Sequence, residues 1–184
     1  MDECKTIQMV TTEFKSRSRG KKKEPILRKR IITHQHQWVN NITNDDIQFR
    51  GQLVFLEDGK QGEEDEQNKK KSIMLRELRR KIEGYRHQDM LKHIFDGSKF
   101  VDLGHVLRLL SECNEKCFYC KESVKILYDV ARDPKQWTLE RIFNDKGHNK
   151  DNVEIACLSC NIKRRTMFYE KFRFTKQVKF VKEL

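Results

Sequence analysis

Cys117-Phe-Tyr-Cys120 and Cys157-Leu-Ser-Cys160 are two C-x-x-C pairs separated by a long spacer, and together they supply four thiols. Four thiolates are what a tetrahedral Zn²⁺ takes in a closed structural site. Disulfides or a redox C-x-x-C would use the same residues, but they fit this chain poorly. Six cysteines in 184 residues are few for a disulfide scaffold, and the N-terminus carries no apolar signal segment. A thioredoxin-like site would also need its C-x-x-C at the start of a helix that follows a strand. The spacing therefore predicts structural zinc in a reducing compartment. Cys4 and Cys113 are left over. Cys113 reads as a buried thiol ending the preceding helix, or as a replacement ligand.

The elements around these pairs set what else the site can hold. Gln136–Ile142 alternates like a strand, residues 144–151 form a polar loop, and Asn152–Ala156 is a second strand running into the second pair. Asn161-Ile-Lys163-Arg164-Arg165 starts a helix. Strand, loop, strand and helix with a metal at the base make a ββα unit. Upstream, residues 100–113 read as a short helix. Residues 72–95 read as a longer one, with Leu75, Leu78, Ile82 and Tyr85 at helical spacing and Arg76, Arg79, Arg80 and Lys81 between them. That basic face suits either solvent or a phosphate backbone.

Arg30–Thr33 and Gln52–Leu56 are rich in β-branched or large apolar residues and read as two strands of a small sheet. Glu57–Glu66 is charged and broken by glycine, which predicts a linker with a domain boundary near 57–71. Residues 1–30 are a basic arm, suited to nuclear import, to tethering phosphate or to plain solvation. The expected fold class is α+β, divided as 1–30, 31–71, 72–99 and 100–184. His34 and His36 would share a strand face, but no third ligand is near and they receive no role.

Lys and Arg total 39 against 28 Asp and Glu, a net charge of +11, which favours a polyanionic partner, DNA or RNA. No run reaches the 18 or so apolar residues that a membrane span requires. The chain reads as soluble and intracellular, one domain with an appended arm. Beyond the second pair, basic residues from Lys163 to Lys182 interleave with Phe168, Tyr169, Phe172, Phe174 and Phe180. The aromatics close a small core or stack on bases, and Lys163, Arg164 and Arg165 are the expected phosphate contacts.

The motifs Cys117-Phe-Tyr-Cys120, Trp137-Thr-Leu-Glu140-Arg141-Ile, Gly147-His148-Asn-Lys-Asp-Asn152-Val and Ala156-Cys157-Leu-Ser-Cys160-Asn161-Ile-Lys-Arg-Arg occur in this order. They resemble the zinc-knuckle HNH endonucleases of the ββα-metal (treble-clef) superfamily, in particular HNH-like proteins of large DNA viruses, over about residues 100–176. The resemblance implies a metal-dependent endonuclease that hydrolyses phosphodiester bonds in DNA, working in a viral factory, while the basic arm suits a nucleus. It implies that Glu140 and Asn161 hold a catalytic Mg²⁺ or Mn²⁺ and that Asn152 braces the loop. In the usual motif the general base is a histidine directly after the acidic residue, and here Arg141 stands there. His148 in the loop is a replacement base with Arg141 clamping phosphate, or else the scaffold binds nucleic acid without cutting it.

Overall fold

The computed structural model describes residues 28–57 and 64–178. Most of the basic arm (1–27), part of the acidic linker (58–63) and the last six residues lie outside them. Two helices of one turn, α1 (His36–Val39) and α2 (Asn44–Gln48), are followed by a long α3 (Glu64–Leu91) and by α4 (Leu103–Glu112). An antiparallel hairpin of β1 (Trp137–Arg141) and β2 (Val153–Cys157) comes next, then α5 (Leu158–Arg164) and α6 (Tyr169–Gln177). The fold class is α+β. The register runs from Trp137 opposite Cys157 to Arg141 opposite Val153.

α3 and α4 cover the hairpin because their apolar stripes meet it. Met74, Leu78, Val106, Leu110, Trp137, Leu139 and Ile155 share one core and are almost wholly buried. Thr138 and Glu140, on the opposite face of β1, are buried as well, since α5 lies over them. A two-stranded sheet has two open edges, and here side chains close part of one. The Leu139 N–H donates to the Tyr85 hydroxyl at 3.0 Å, while the Lys81 ammonium donates to the Trp137 carbonyl. Desolvation pushes Lys81 down to about 7.

Two sequence expectations fail, each for a physical reason. The stretches read as strands near 30–33 and at 52–56 are 3₁₀ turns, Ile31–His34 and Gln52–Leu56. The second cannot extend because the Glu115 carboxylate accepts from the backbone N–H groups of both Gln52 (2.8 Å) and Leu53 (2.7 Å), and Gly51 at φ +84° turns the chain into it. Gln52, fully buried, then knits the turn to residues 126–127: its Oε1 accepts from the Ile126 and Leu127 N–H groups at 2.7 and 2.8 Å. The segment expected as linker up to residue 71 is helical from Glu64. Acid-then-base pairs one turn apart, Asp65–Lys69 and Glu66–Lys70, support that exposed first stretch.

Arg30, counted with the basic arm, is docked. Its guanidinium pairs with buried Glu77, donates to the Tyr128 carbonyl at 2.8 Å and lies 4.1 Å from the Tyr128 ring centroid. His34 and His36 are exposed on the turns of this segment, not on a strand. Among the described residues, no helix is long and apolar enough to cross a membrane.

Candidate functional site

The four sulfurs of Cys117, Cys120, Cys157 and Cys160 all lie within 4.8 Å of one another, a Cys4 cluster that can bind a metal ion such as zinc. Each pair is set by its own turn. Cys117 and Cys120 sit where the Cys117 carbonyl accepts from the Lys121 N–H at 3.0 Å, with Lys121 in the left-handed region at φ +60°. Cys157 caps α5, its sulfur accepting from the Cys160 N–H at 3.4 Å. The Phe118 N–H donates to the Ile155 carbonyl at 2.7 Å and ties the first turn to β2.

Hydrogen bonds from the Cys157 and Cys160 thiols push Cys117 down, and the same contacts push those two thiols up. Four crowded sulfurs cannot all ionise unless a cation joins them, so the chemistry of the donor set suits a soft divalent metal. Cys113 is outside the cluster; it caps α4, half-buried, with its thiol on the Leu110 carbonyl at 3.4 Å.

One residue after Cys160 the surface opens into a cleft of about 290 Å³ between α3, the hairpin loop and α5. Glu140, Arg141, His148, Asn161 and Arg165 all line it. The sequence motifs put the first four in one site, and the run of basic residues after Cys160 put Arg165 among the phosphate contacts.

Glu140 is buried. Its Oε1 accepts from the Arg164 guanidinium and from the Tyr119 hydroxyl at 3.2 Å, while Oε2 has no partner among the described residues. Burial pushes the Glu140 carboxyl up, against the pull of the Arg164 charge. Asn161 donates its Nδ2 to Thr138 Oγ1 at 3.2 Å and to the Leu139 carbonyl at 3.4 Å, which leaves its side-chain oxygen unused. Two hard oxygen donors therefore line one cleft, a set that fits Mg²⁺ or Mn²⁺ better than a soft ion.

His148 is held from both sides. Its backbone N–H donates to Asp89 Oδ2 at 2.6 Å, its carbonyl accepts from the Val101 N–H at 3.1 Å, and its Nδ1 lies 2.7 Å from Asp89 Oδ1. The Tyr85 ring packs on the imidazole with centroids 4.5 Å apart. Burial pushes His148 down to about 4, outweighing the Asp89 carboxylate that pulls the other way, so the ring is neutral at pH 7. With the Nδ1 proton directed at Asp89, Nε2 is left as an acceptor. Gly147 allows this close approach: a Cβ there would lie 2.6 Å from the Ile94 carbonyl oxygen and 2.9 Å from Asp89 Oδ2.

No family model, curated protein or solved structure matches the chain.

Asn152 is buried, accepts from the Phe143 N–H at 2.9 Å and donates to the Phe143 and Gly147 carbonyls at 3.0 Å, so it ties both ends of the loop. Arg141 Nη1 donates to the Asn144 and Lys146 carbonyls at 3.1 Å, which makes this arginine a loop brace at the rim of the cleft. Arg164, expected as a phosphate contact, is instead buried, with all three guanidinium nitrogens engaged by Glu140, Met167, Arg141 and Asn144. It organises the cleft from within, whereas Lys163 and Arg165 are exposed.

Tyr85 and Asp89 on α3, and Lys92 just after its end, were not expected in the site. A signal was present. Leu78, Ile82, Tyr85 and Asp89 continue one helical stripe, and an acid on an apolar stripe is a buried charge in need of a partner.

Proposed function

We propose that the protein is a metal-dependent endonuclease of HNH type, hydrolysing phosphodiester bonds in DNA on a treble-clef ββα-metal scaffold whose Cys4 cluster holds a structural Zn²⁺. The observation that carries this reading is the meeting, in one cleft, of two unpartnered oxygens and a neutral histidine oriented by a carboxylate. That is the constellation a hydrolytic site needs: donors for a divalent ion and a base poised beside it.

Glu140 and Asn161 would hold Mg²⁺ or Mn²⁺, which when bound polarises a phosphate oxygen and stabilises the leaving 3′ oxygen. The chain's own groups supply the rest. His148 Nε2 takes the proton of the attacking water, and Asp89 stabilises the imidazolium that forms while holding the ring in place. Lys92, Arg165 and the free N–H groups of Arg141 offset charge that grows on the phosphate. The leaving oxygen takes its proton from solvent. A four-thiolate zinc offers no open position, so its contribution is to folding.

The second reading is a zinc-binding DNA- or RNA-binding protein that does not cut. The ion pair between Arg164 and Glu140 favours it, because a carboxylate already neutralised by arginine is a weaker ligand for a cation. Supercoiled plasmid incubated with the zinc-loaded protein, with and without Mg²⁺ or Mn²⁺, separates the two. Divalent-dependent nicking that Glu140→Ala abolishes, with zinc retained, supports the nuclease. Salt-sensitive binding with no nicking supports the second reading.

A further inference from the structure

We infer that the DNA taken by this cleft is unpaired beside the scissile phosphate, with Phe143 and Phe168 as the rings on which its bases stack; this rests on the nuclease reading above. Phe143 lies two residues past the end of β1 and is 46% exposed, and Phe168, just before α6, is 56% exposed. Tyr169 lies between them, with ring centroids 6.2 Å from Phe143 and 5.0 Å from Phe168. Ile162, 45% exposed, and Met167, 39% exposed, are further exposed apolar side chains on the segment leading to Phe168. Tyr169 packs against the core, whereas Phe143 and Phe168 lie outside it. Phe172, one turn further along, is buried edge-on against Tyr119 at 4.8 Å.

The patch is continuous with the cleft. Asn144 donates to the Arg165 carbonyl at 3.2 Å and accepts from Arg164 at 2.7 Å, which joins the loop after β1 to the turn after α5. Asn144, Ile162 and Arg165 are themselves cleft residues. Arg165 sits in the left-handed region at φ +53°, a conformation that a non-glycine residue holds only at a cost, and that bend brings Met167 and Phe168 around beside the loop. Exposed apolar surface rimmed by charge marks an interaction site.

The charge says what kind. Lys146, Lys163, Arg165 and Lys171 are exposed on the segments that carry these rings, and none forms an ion pair with a described residue; Lys146 Nζ lies 5.2 Å from the Phe143 centroid. The carboxylates on these segments are Asp145 and Glu170, and Glu170 accepts from the Tyr169 hydroxyl. An apolar protein partner would leave the cations unmatched. Cations for phosphates with rings for base faces are what a single strand needs, whereas a duplex keeps its base faces stacked within itself.

The test measures fluorescence anisotropy of labelled DNA with the full zinc-loaded chain, in Ca²⁺ to hold cleavage back. The probes are a single strand, a blunt duplex of the same sequence, and that duplex with a short unpaired gap. The inference predicts tighter binding of the single strand and the gapped duplex than of the blunt duplex. Phe143→Ala and Phe168→Ala should each weaken single-strand binding by roughly tenfold. Neither should change blunt-duplex binding, and zinc content and thermal unfolding should hold. Phe143→Leu, which keeps apolar contact and removes the ring, should behave like Phe143→Ala. Equal affinity for all three probes, or variants that weaken all three alike, would overturn the inference while leaving the nuclease reading intact. Self-association that the alanine variants abolish, with DNA binding unchanged, would overturn it in favour of a protein interface. No binding to any probe would sink the nuclease reading itself.

Discussion

The Cys4 cluster and the cleft share the β1–β2 hairpin and α5, where Cys160 serves one and Asn161, the next residue, serves the other. The cluster is local and soft. Each of its two turns is complete within a few residues, and its thiols need only a metal to satisfy them. The cleft is assembled from a distance and is hard. Its histidine, His148, is oriented by Asp89 from α3, and its carboxylate, Glu140, by Arg164 from α5 and Tyr119 from the first cysteine turn. A metal can hold the first together, and only the packing of the whole fold can hold the second. Tyr119 connects the two, lying between Cys117 and Cys120 while its hydroxyl reaches Glu140.

The largest effect should come from breaking the cluster. Cys157→Ser, or chelation strong enough to strip the metal, removes a contribution of roughly 10–16 kcal/mol, as large as the whole stability of an ordinary domain. Zinc content and amide exchange would be read together, and the expected result is joint loss of zinc and of protection over residues 115–165. Retained protection in the stripped protein would mean that the hairpin does not depend on the metal.

Breaking the cleft should cost less and spare the zinc. Arg164→Met leaves the buried Glu140 carboxylate without its charge partner, a loss of about 3–5 kcal/mol. Denaturant unfolding at pH 7 measures it, and the cost should shrink at acid pH as Glu140 takes up a proton. A variant as stable as the parent would show that the pair is dispensable.

The pH dependence distinguishes the regions further. His148 titrates near 6.5 in the unfolded chain and at about 4 when folded, so between these values the unfolded state binds the extra proton. Its contribution is therefore complete above pH 6.5 and is lost as pH falls toward 4, by at most about 3 kcal/mol. The stability–pH slope of His148→Asn against the parent isolates it. Parallel slopes would mean an imidazole that charges freely in the fold.

Gly147→Ala should be milder still, about 1–3 kcal/mol, because the new methyl must push the loop away from Ile94 and Asp89. NMR should show the His148 amide losing exchange protection while the zinc stays bound. Unchanged protection would mean that the loop absorbs the methyl.

The same contrast explains what the sequence disclosed. The cysteine spacing, both strands and α5 were legible because each is a local pattern, and the observed strands 137–141 and 153–157 lie within a residue or so of those expected. Gln52–Leu56 misled because its β-branched and apolar residues found no partner strand; a carboxylate 62 residues away took its N–H groups instead. α3 misled in a different way. Its arginines drew attention to an exposed face, while the residues that build the cleft lay on the buried stripe. Arg164 was indistinguishable from Lys163 and Arg165 in sequence, and only the position of Glu140 on the strand face beneath α5 separates a buried brace from a surface cation.

The measurement that bears most directly on the account is single-turnover cleavage of plasmid in Mg²⁺ by the parent and by Asp89→Asn, with zinc content determined in the same samples. An asparagine can still accept from the His148 backbone N–H, but its amide donates to Nδ1 and moves the ring proton to Nε2. Cleavage by the parent and a loss on the order of 10²–10⁴-fold in the variant are expected, with zinc and fold unchanged. Equal rates in the two proteins would mean that Asp89 on α3 has no part in the proposed cleavage.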